Sequence, residues 1–398
     1  MNPNLSHLHR YPFEKLAQLK TGCQPTDNLD HISLSIGEPK HPAPDFALQA
    51  MINNLSGVST YPLTKGTRSL REAIARWLIQ RFNLKNNHID PDKNVLPVNG
   101  TREALFAIAQ TLIDSNKQQL VFMPNPFYQI YEGAAMLARA EPRYLNTTEQ
   151  TGFLPDFDSV SVQDWQRCQL LYICSPGNPT GRVMPIEMLV QLIELADKYN
   201  FTLVSDECYS ELYFDEARPP VGLLEAAVTT GNTEFKHCLV FHSLSKRSNL
   251  PGLRSGFVAG DADLIQQFFR YRTYHGCAMP PHHQAASIAA WSDEQHVVAN
   301  RELYREKFDV VIDILKDVIQ VEQPDASFYL WPQTPIDDEL FCKNLYTQQN
   351  VTVLPGKYLS RNSAGMNPGA NRIRLALVAE LEQCRDAAQR IREFIENS

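Results

Sequence analysis

Residues 170–207 read LLYICSPGNPTGRVMPIEMLVQLIELADKYNFTLVSDE, and the fold turns on this stretch. LLYICS is a continuous apolar run rich in β-forming residues, as in a strand covered on both faces. PIEMLVQLIELADKYN follows with apolar residues at helical spacing, and FTLVSD returns to a short apolar run. The same alternation extends outward. GTRSLREAIARWLIQRF sets Leu70, Ile74, Trp77, Leu78 and Phe82 on one helical face, TREALFAIAQTLI is a further helix before the strand QLVFM, and CLVFHSL and GFVAG are two more strands. Apolar strands separated by helices predict an α/β fold whose mostly parallel central sheet is flanked by helices, with ligands beyond the C-terminal ends of the strands. After about residue 285 a long helical stretch leads to SFYLW, VTVLP and RIRLALV, the pattern of a smaller α+β domain. The expected division is a large domain over 45–285 and a small domain over 1–44 and 286–398.

Composition narrows the function. The 398 residues carry 37 Lys+Arg against 45 Asp+Glu, a formal net charge of −8 with both signs scattered, so no basic stripe exists to displace counterions from nucleic acid. No apolar run approaches the roughly 18–20 residues of a membrane span, and MNPNLSHLHRYPFEKL has no apolar core behind a basic end. A cytoplasmic protein with small-molecule substrates is expected. The eight cysteines form no C-x-x-C pair and read as reduced thiols, and no metal site is expected.

Three strand ends carry the chemistry. LLYICSP runs into Gly177-Asn178-Pro179-Thr180-Gly181, FTLVSD ends on Asp206 with Tyr209 three residues on, and LVFHSL enters Ser243-Leu244-Ser245-Lys246-Arg247, with Arg254 beyond. Singly, each has a plain structural explanation: a turn, a helix cap, a solvated lysine. Together they supply an amine for an aldehyde, an anion for a pyridinium, donors for a phenolic oxygen and donors for a phosphate, which are the needs of pyridoxal 5′-phosphate.

On these residues the chain resembles the class I/II aminotransferases of fold type I. The resemblance implies that Lys246 bonds the cofactor aldehyde and is the catalytic base, that Asp206 pairs with the pyridinium, and that Asn178 and Tyr209 donate to the phenolic oxygen. It implies Ser243, Ser245 and Arg254 at the phosphate, with backbone donors of Gly100, Thr101 and Arg102 where a helix opens after NVLPVNG. Tyr128, in PFYQIY, matches the ring stacked on the pyridine. Tyr61, in YPLTKGTRSLREAIA, matches the tyrosine that reaches the neighbouring subunit's phosphate, which implies a homodimer with shared sites. Arg374 matches the clamp on the substrate α-carboxylate, with Gly37 of SIGEP lending a backbone contact. Arg372 and Arg374 lie two apart on a strand and share a face, so periodicity alone does not choose between them.

MNPNLSHLHRYPFEKL, LSIGEPKHPAP and YRTYHGCAMPP are similar to the proteobacterial N-succinyl-LL-diaminopimelate aminotransferases, which exchange the amino group with 2-oxoglutarate. Such a substrate needs a distal cation, and Arg272 is the expected one, with Arg102 and Arg139 as alternatives. An aminotransferase for aspartate, alanine or an aromatic donor would keep every cofactor residue, as would a β-C–S lyase. A cofactor-binding transcription regulator needs a DNA-binding domain, for which fewer than about 45 leading residues leave no room. A non-enzymatic scaffold would have shed Lys246 or Asp206, and both are present.

Overall fold

The computed structural model describes residues 2–397. Strands Val95–Val98 (β1), Leu120–Asn125 (β2), Glu141–Asn146 (β3), Cys168–Cys174 (β4), Thr202–Asp206 (β5), Cys238–Ser243 (β6) and Gly256–Gly260 (β7) form one sheet in the order β1-β7-β6-β5-β4-β2-β3. The pairings β6-β5, β5-β4, β4-β2 and β2-β3 are parallel. Only β7 runs against its neighbours. The sheet is thus the mostly parallel, helix-flanked α/β sheet that the apolar runs predict.

Local chemistry sets the elements. Helix Arg68–Arg81 begins where the Thr67 hydroxyl accepts from the Leu70 amide, and it buries Leu70, Ile74, Trp77 and Leu78. Helix Ile186–Tyr199 buries Leu189, Leu192, Ile193 and Ala196 and stops at Asn200, which adopts the left-handed conformation that ends helices. Pro97 is tolerated in β1 because that strand lies at the sheet edge. β3, the other edge, carries no apolar run; pairing with β2 makes it a strand.

Beyond the large sheet, Ile32–Ser33 pairs in parallel with Val351–Thr352, joining the two ends of the chain. Tyr329–Leu330 and Leu354–Pro355 flank Ile373–Ala376 in a second small antiparallel sheet. VTVLP is therefore divided between two sheets. Helix Pro281–Trp291 spans the expected boundary at 285, and its Ala286, Ala290 and Trp291 pack in the core beneath the large sheet. Trp291 meets Trp77 with ring centroids 4.8 Å apart, and the guanidinium of Arg247 lies 5.0 Å from the Trp291 ring. All eight cysteines are free, five of them buried. Among the described residues no helix is long and apolar enough to cross a membrane.

Trp291→Ala should lower the unfolding free energy by about 3–5 kcal/mol, the usual cost of emptying a buried tryptophan site. Urea denaturation measures it, and a loss under about 1 kcal/mol would show that the helix contributes little to the large core.

Candidate active site

β4, β5 and β6 are neighbours in the sheet, so the loops and residues at their C-terminal ends face a common crevice. A cleft of about 560 Å³ opens there. Its walls include Gly37, Thr101, Arg102, Tyr128, Asn178, Asp206, Tyr209, Ser243, Ser245, Lys246, Arg254 and Arg374, twelve side chains or backbones drawn from positions far apart in the chain.

Asp206 ends β5 and is only 4% exposed. Its Oδ2 accepts from the Tyr131 hydroxyl at 2.6 Å and its Oδ1 from the Cys208 amide at 3.3 Å. Burial pushes its carboxyl above the usual range, the hydrogen bonds from Cys208 and Tyr131 acting the other way. Among the described residues it forms no ion pair; His242, whose charge would stabilise it, stands 3.1 Å from Glu207 instead. A buried carboxylate without a cation is costly, and a protonated ring nitrogen in the cleft would supply one.

Lys246 lies in the short helix Leu244–Arg247, which Ser243 caps by accepting from the Ser245 amide at 3.1 Å. Its Nζ donates to the Gly37 carbonyl and stands 5.2 Å from the Phe328 ring centroid. Burial pulls the ammonium down to about 8, with the Arg374 and Arg254 guanidiniums adding to the effect and Cys208 and Glu38 opposing it. An amine so depressed is a better nucleophile and base near neutrality than an ordinary lysine.

Three groups of anion donors face the cleft. Gly100, at φ 86, turns the chain into helix Thr101–Leu112, and no side chain caps that helix, so its first amides are free to bind a ligand. Arg254, itself left-handed at φ 53, lies so close that a Cβ on Gly100 would collide with its guanidinium. The Ser243 and Ser245 hydroxyls, 3.0 Å apart, complete the cup. An anion-binding cup, a reactive amine and an unpaired buried carboxylate in one cleft fit a pyridoxal phosphate molecule.

On the opposite wall Arg374 donates from Nη1 to Asn178 Oδ1 at 3.1 Å and from Nη2 to the Ser35 carbonyl at 2.8 Å. Its buried Nε has no partner among the described residues. The guanidinium stands 4.4 Å from the Tyr329 ring, and the Tyr329 hydroxyl meets that of Tyr209 at 3.1 Å. Arg372 leaves this wall: it donates to the Trp331 carbonyl at 3.0 Å and pairs with Glu149 outside the cleft. Of the two arginines Arg374 lines the cleft and Arg372, which precedes the strand beginning at Ile373, does not.

Two expected cations do not reach the cleft. Arg272 is 1% exposed, and its guanidinium is held by Glu103 at 2.7 Å and the Cys277 carbonyl at 3.0 Å, so it is not free for a distal carboxylate. Arg139 lines a different groove with Asn4 and His7. Arg102 is in the cleft, exposed, 5.7 Å from the Tyr11 ring and without an ion pair among the described residues. Tyr61 is 99% exposed and outside its own chain's cleft. The sequence reading missed Tyr131, Tyr329 and Glu38, all of which line the cleft. The only available signal was the spacing of Tyr131 from Tyr128, one turn apart at the start of a helix.

The family model for class I and II aminotransferases matches residues 30–391. An LL-diaminopimelate aminotransferase from Dehalococcoides mccartyi is 32% identical over 369 residues, 91% of this chain and 91% of that protein. The crystal structure of an aminotransferase from Neisseria meningitidis is similar at a TM-score of 0.95 and 46% identity, covering 99% of this chain and 100% of that one. A probable N-succinyldiaminopimelate aminotransferase from Thermus thermophilus gives a TM-score of 0.85 and 26% identity, covering 96% and 100%.

Gly100→Ala should weaken pyridoxal phosphate binding by about tenfold or more, since the added methyl strains a left-handed residue and pushes against Arg254. Titrating the cofactor-free protein with pyridoxal phosphate measures this, and a Kd within about twofold of the unaltered protein would refute the cup.

Proposed function

Since the chain belongs to the class I and II aminotransferase family, whose members use pyridoxal phosphate, we propose that it transfers an amino group between N-succinyl-LL-2,6-diaminopimelate and 2-oxoglutarate in diaminopimelate and lysine biosynthesis. The observation that carries transamination is the meeting of Lys246, Asp206 and the uncapped helix of Gly100 in one cleft. The observation that carries the long acidic substrate is Arg102, a third guanidinium in the cleft besides Arg374 and Arg254 and with no ion pair among the described residues.

Bound here, pyridoxal phosphate supplies an aldehyde for the amino group and a ring that accepts the electron pair released at the substrate Cα. Lys246 would hold the cofactor through its Nζ and, as a free amine, would take the proton from the substrate Cα. Asp206 would pair with the ring nitrogen and stabilise a positive charge there. Asn178 and Tyr209 would donate to the phenolic oxygen, Tyr128 would cover the ring, and Ser243, Ser245, Arg254 and the amides of Gly100, Thr101 and Arg102 would hold the phosphate. Arg374, with its unpartnered Nε, grips the α-carboxylate through two parallel hydrogen bonds beside the Gly37 backbone. Tyr61, fully exposed on its own subunit, would serve the partner's phosphate in a homodimer working in the cytoplasm.

A second reading has its own support. Free LL-diaminopimelate ends in an ammonium as well as a carboxylate, and Glu38 lines the cleft with a carboxylate that has no hydrogen bond or ion pair among the described residues. The relative from Dehalococcoides mccartyi bears that substrate's name. In the succinylated compound the distal nitrogen is a neutral amide and offers Glu38 no positive charge to pair with.

Steady-state kinetics with 2-oxoglutarate separate the two. N-Succinyl-LL-diaminopimelate should exceed LL-diaminopimelate, aspartate, alanine, tyrosine and kynurenine in kcat/KM. Arg102→Ala should cost it about 10- to 100-fold, the worth of a charged hydrogen bond, while Glu38→Gln should change it by less than about threefold. Higher kcat/KM for free LL-diaminopimelate, lost in Glu38→Gln, would establish the second reading, and release of pyruvate and ammonia from a β-thioether substrate with no amino transfer would mark a lyase.

A further inference from the structure

The Tyr131 hydroxyl makes the short hydrogen bond to Asp206, 2.6 Å against 3.3 Å from the Cys208 amide. Tyr131 opens helix Ile130–Leu137 and has no exposed surface. Its ring stacks on Tyr172 of β4 with centroids 4.6 Å apart and planes within 11°. The Tyr172 hydroxyl in turn donates to the Leu105 carbonyl at 2.7 Å, inside the helix whose first turn faces the phosphate cup. Two stacked tyrosines thus link the carboxylate at the end of β5 to the helix at the other end of the cleft.

We propose that Tyr131 is the positioning residue of Asp206, its hydroxyl holding that group as an anion so that the proton shared with the bound cofactor stays on the ring nitrogen. The inference rests on the placement of pyridoxal phosphate proposed above. A carboxylate and a pyridine nitrogen in contact compete for one proton, and the less basic site gives it up. Burial makes Asp206 more basic than an ordinary aspartate, and the hydrogen bonds it accepts from Cys208 and Tyr131 make it less so. Tyr131 is itself pushed well above the usual phenol by burial and by the facing carboxylate, so it remains a donor. The other titratable groups facing Asp206 are Tyr128, Cys174, Cys208 and His242. His242 stands beside Glu207, and the two thiols are held neutral by burial. Without the Tyr131 hydroxyl, the proton would pass from the ring nitrogen to the Asp206 carboxylate with no other bond changed, and the ring would be a poorer acceptor of electrons.

The test is the ¹⁵N chemical shift of the ring nitrogen in holoenzyme reconstituted with ¹⁵N-labelled pyridoxal phosphate, read beside kcat and KM. The unaltered enzyme should show a protonated nitrogen. Tyr131→Phe, which keeps the stack on Tyr172, should move the shift toward unprotonated pyridine and lower kcat by about 10- to 100-fold with KM within about threefold. Tyr131→His, which restores an N–H donor, should recover part of both, and it serves as the comparison if the phenylalanine variant does not fold. A Tyr131→Phe or Tyr131→His holoenzyme with lowered kcat and an unmoved ¹⁵N shift would overturn the proposal and leave Tyr131 a packing residue. An unprotonated nitrogen in the unaltered enzyme would instead remove the contact between Asp206 and the ring, and the inference with it.

Discussion

A carboxylate buried at the end of the central strand without a cation beside it is the constraint to which the cleft is built. Asp206 lies at 4% exposure among apolar strands, where an uncompensated charge costs several kcal/mol. Its protein donors, Tyr131 and Cys208, lower that cost without cancelling it. The parallel sheet creates the problem and its answer together, because strand C-terminal ends are where a crevice opens and a ligand can deliver the missing positive charge. On the proposed reading, cofactor binding and the relief of that buried charge are one event.

The remaining groups are set by their distance from this anion. Lys246 follows β6, next to β5, so the two residues come from neighbouring strand ends. The lysine is depressed by burial and by two guanidiniums that the proposed chemistry uses for other purposes, Arg254 at the cup and Arg374 at the substrate end. The far wall comes from the other sheets: Gly37, whose carbonyl accepts from Lys246, lies just beyond the strand Ile32–Ser33, and Arg374 lies in the strand Ile373–Ala376. A Cβ on Gly37 would strike the Tyr329 hydroxyl, which shows how tightly the N-terminal segment is fitted against this wall.

What the sequence disclosed follows from where its information is local. The strands β4, β5 and β6 are apolar throughout because both faces are covered, so their ends, and Asn178, Asp206 and Lys246 with them, could be read directly. The edge strand Glu141–Asn146 could not, since half-exposed residues at an edge carry no continuous apolar run. Arg272 misled because its fate is decided by Glu103, 169 residues away, and no local pattern distinguishes a guanidinium that is spent from one that is free. Tyr131 was invisible for the opposite reason: on an apolar helix a tyrosine reads as core, and most of this one is core. Only its hydroxyl, aimed at Asp206, has a further role.

The assignment of Lys246 as the residue that bonds the cofactor is the claim on which the chemistry stands. Reduction of the holoenzyme with borohydride, followed by proteolysis and mass mapping, tests it most directly. The pyridoxyl label should appear on the peptide carrying Lys246 and be lost in Lys246→Ala. A label on any other lysine, with Lys246 unmodified, would contradict it.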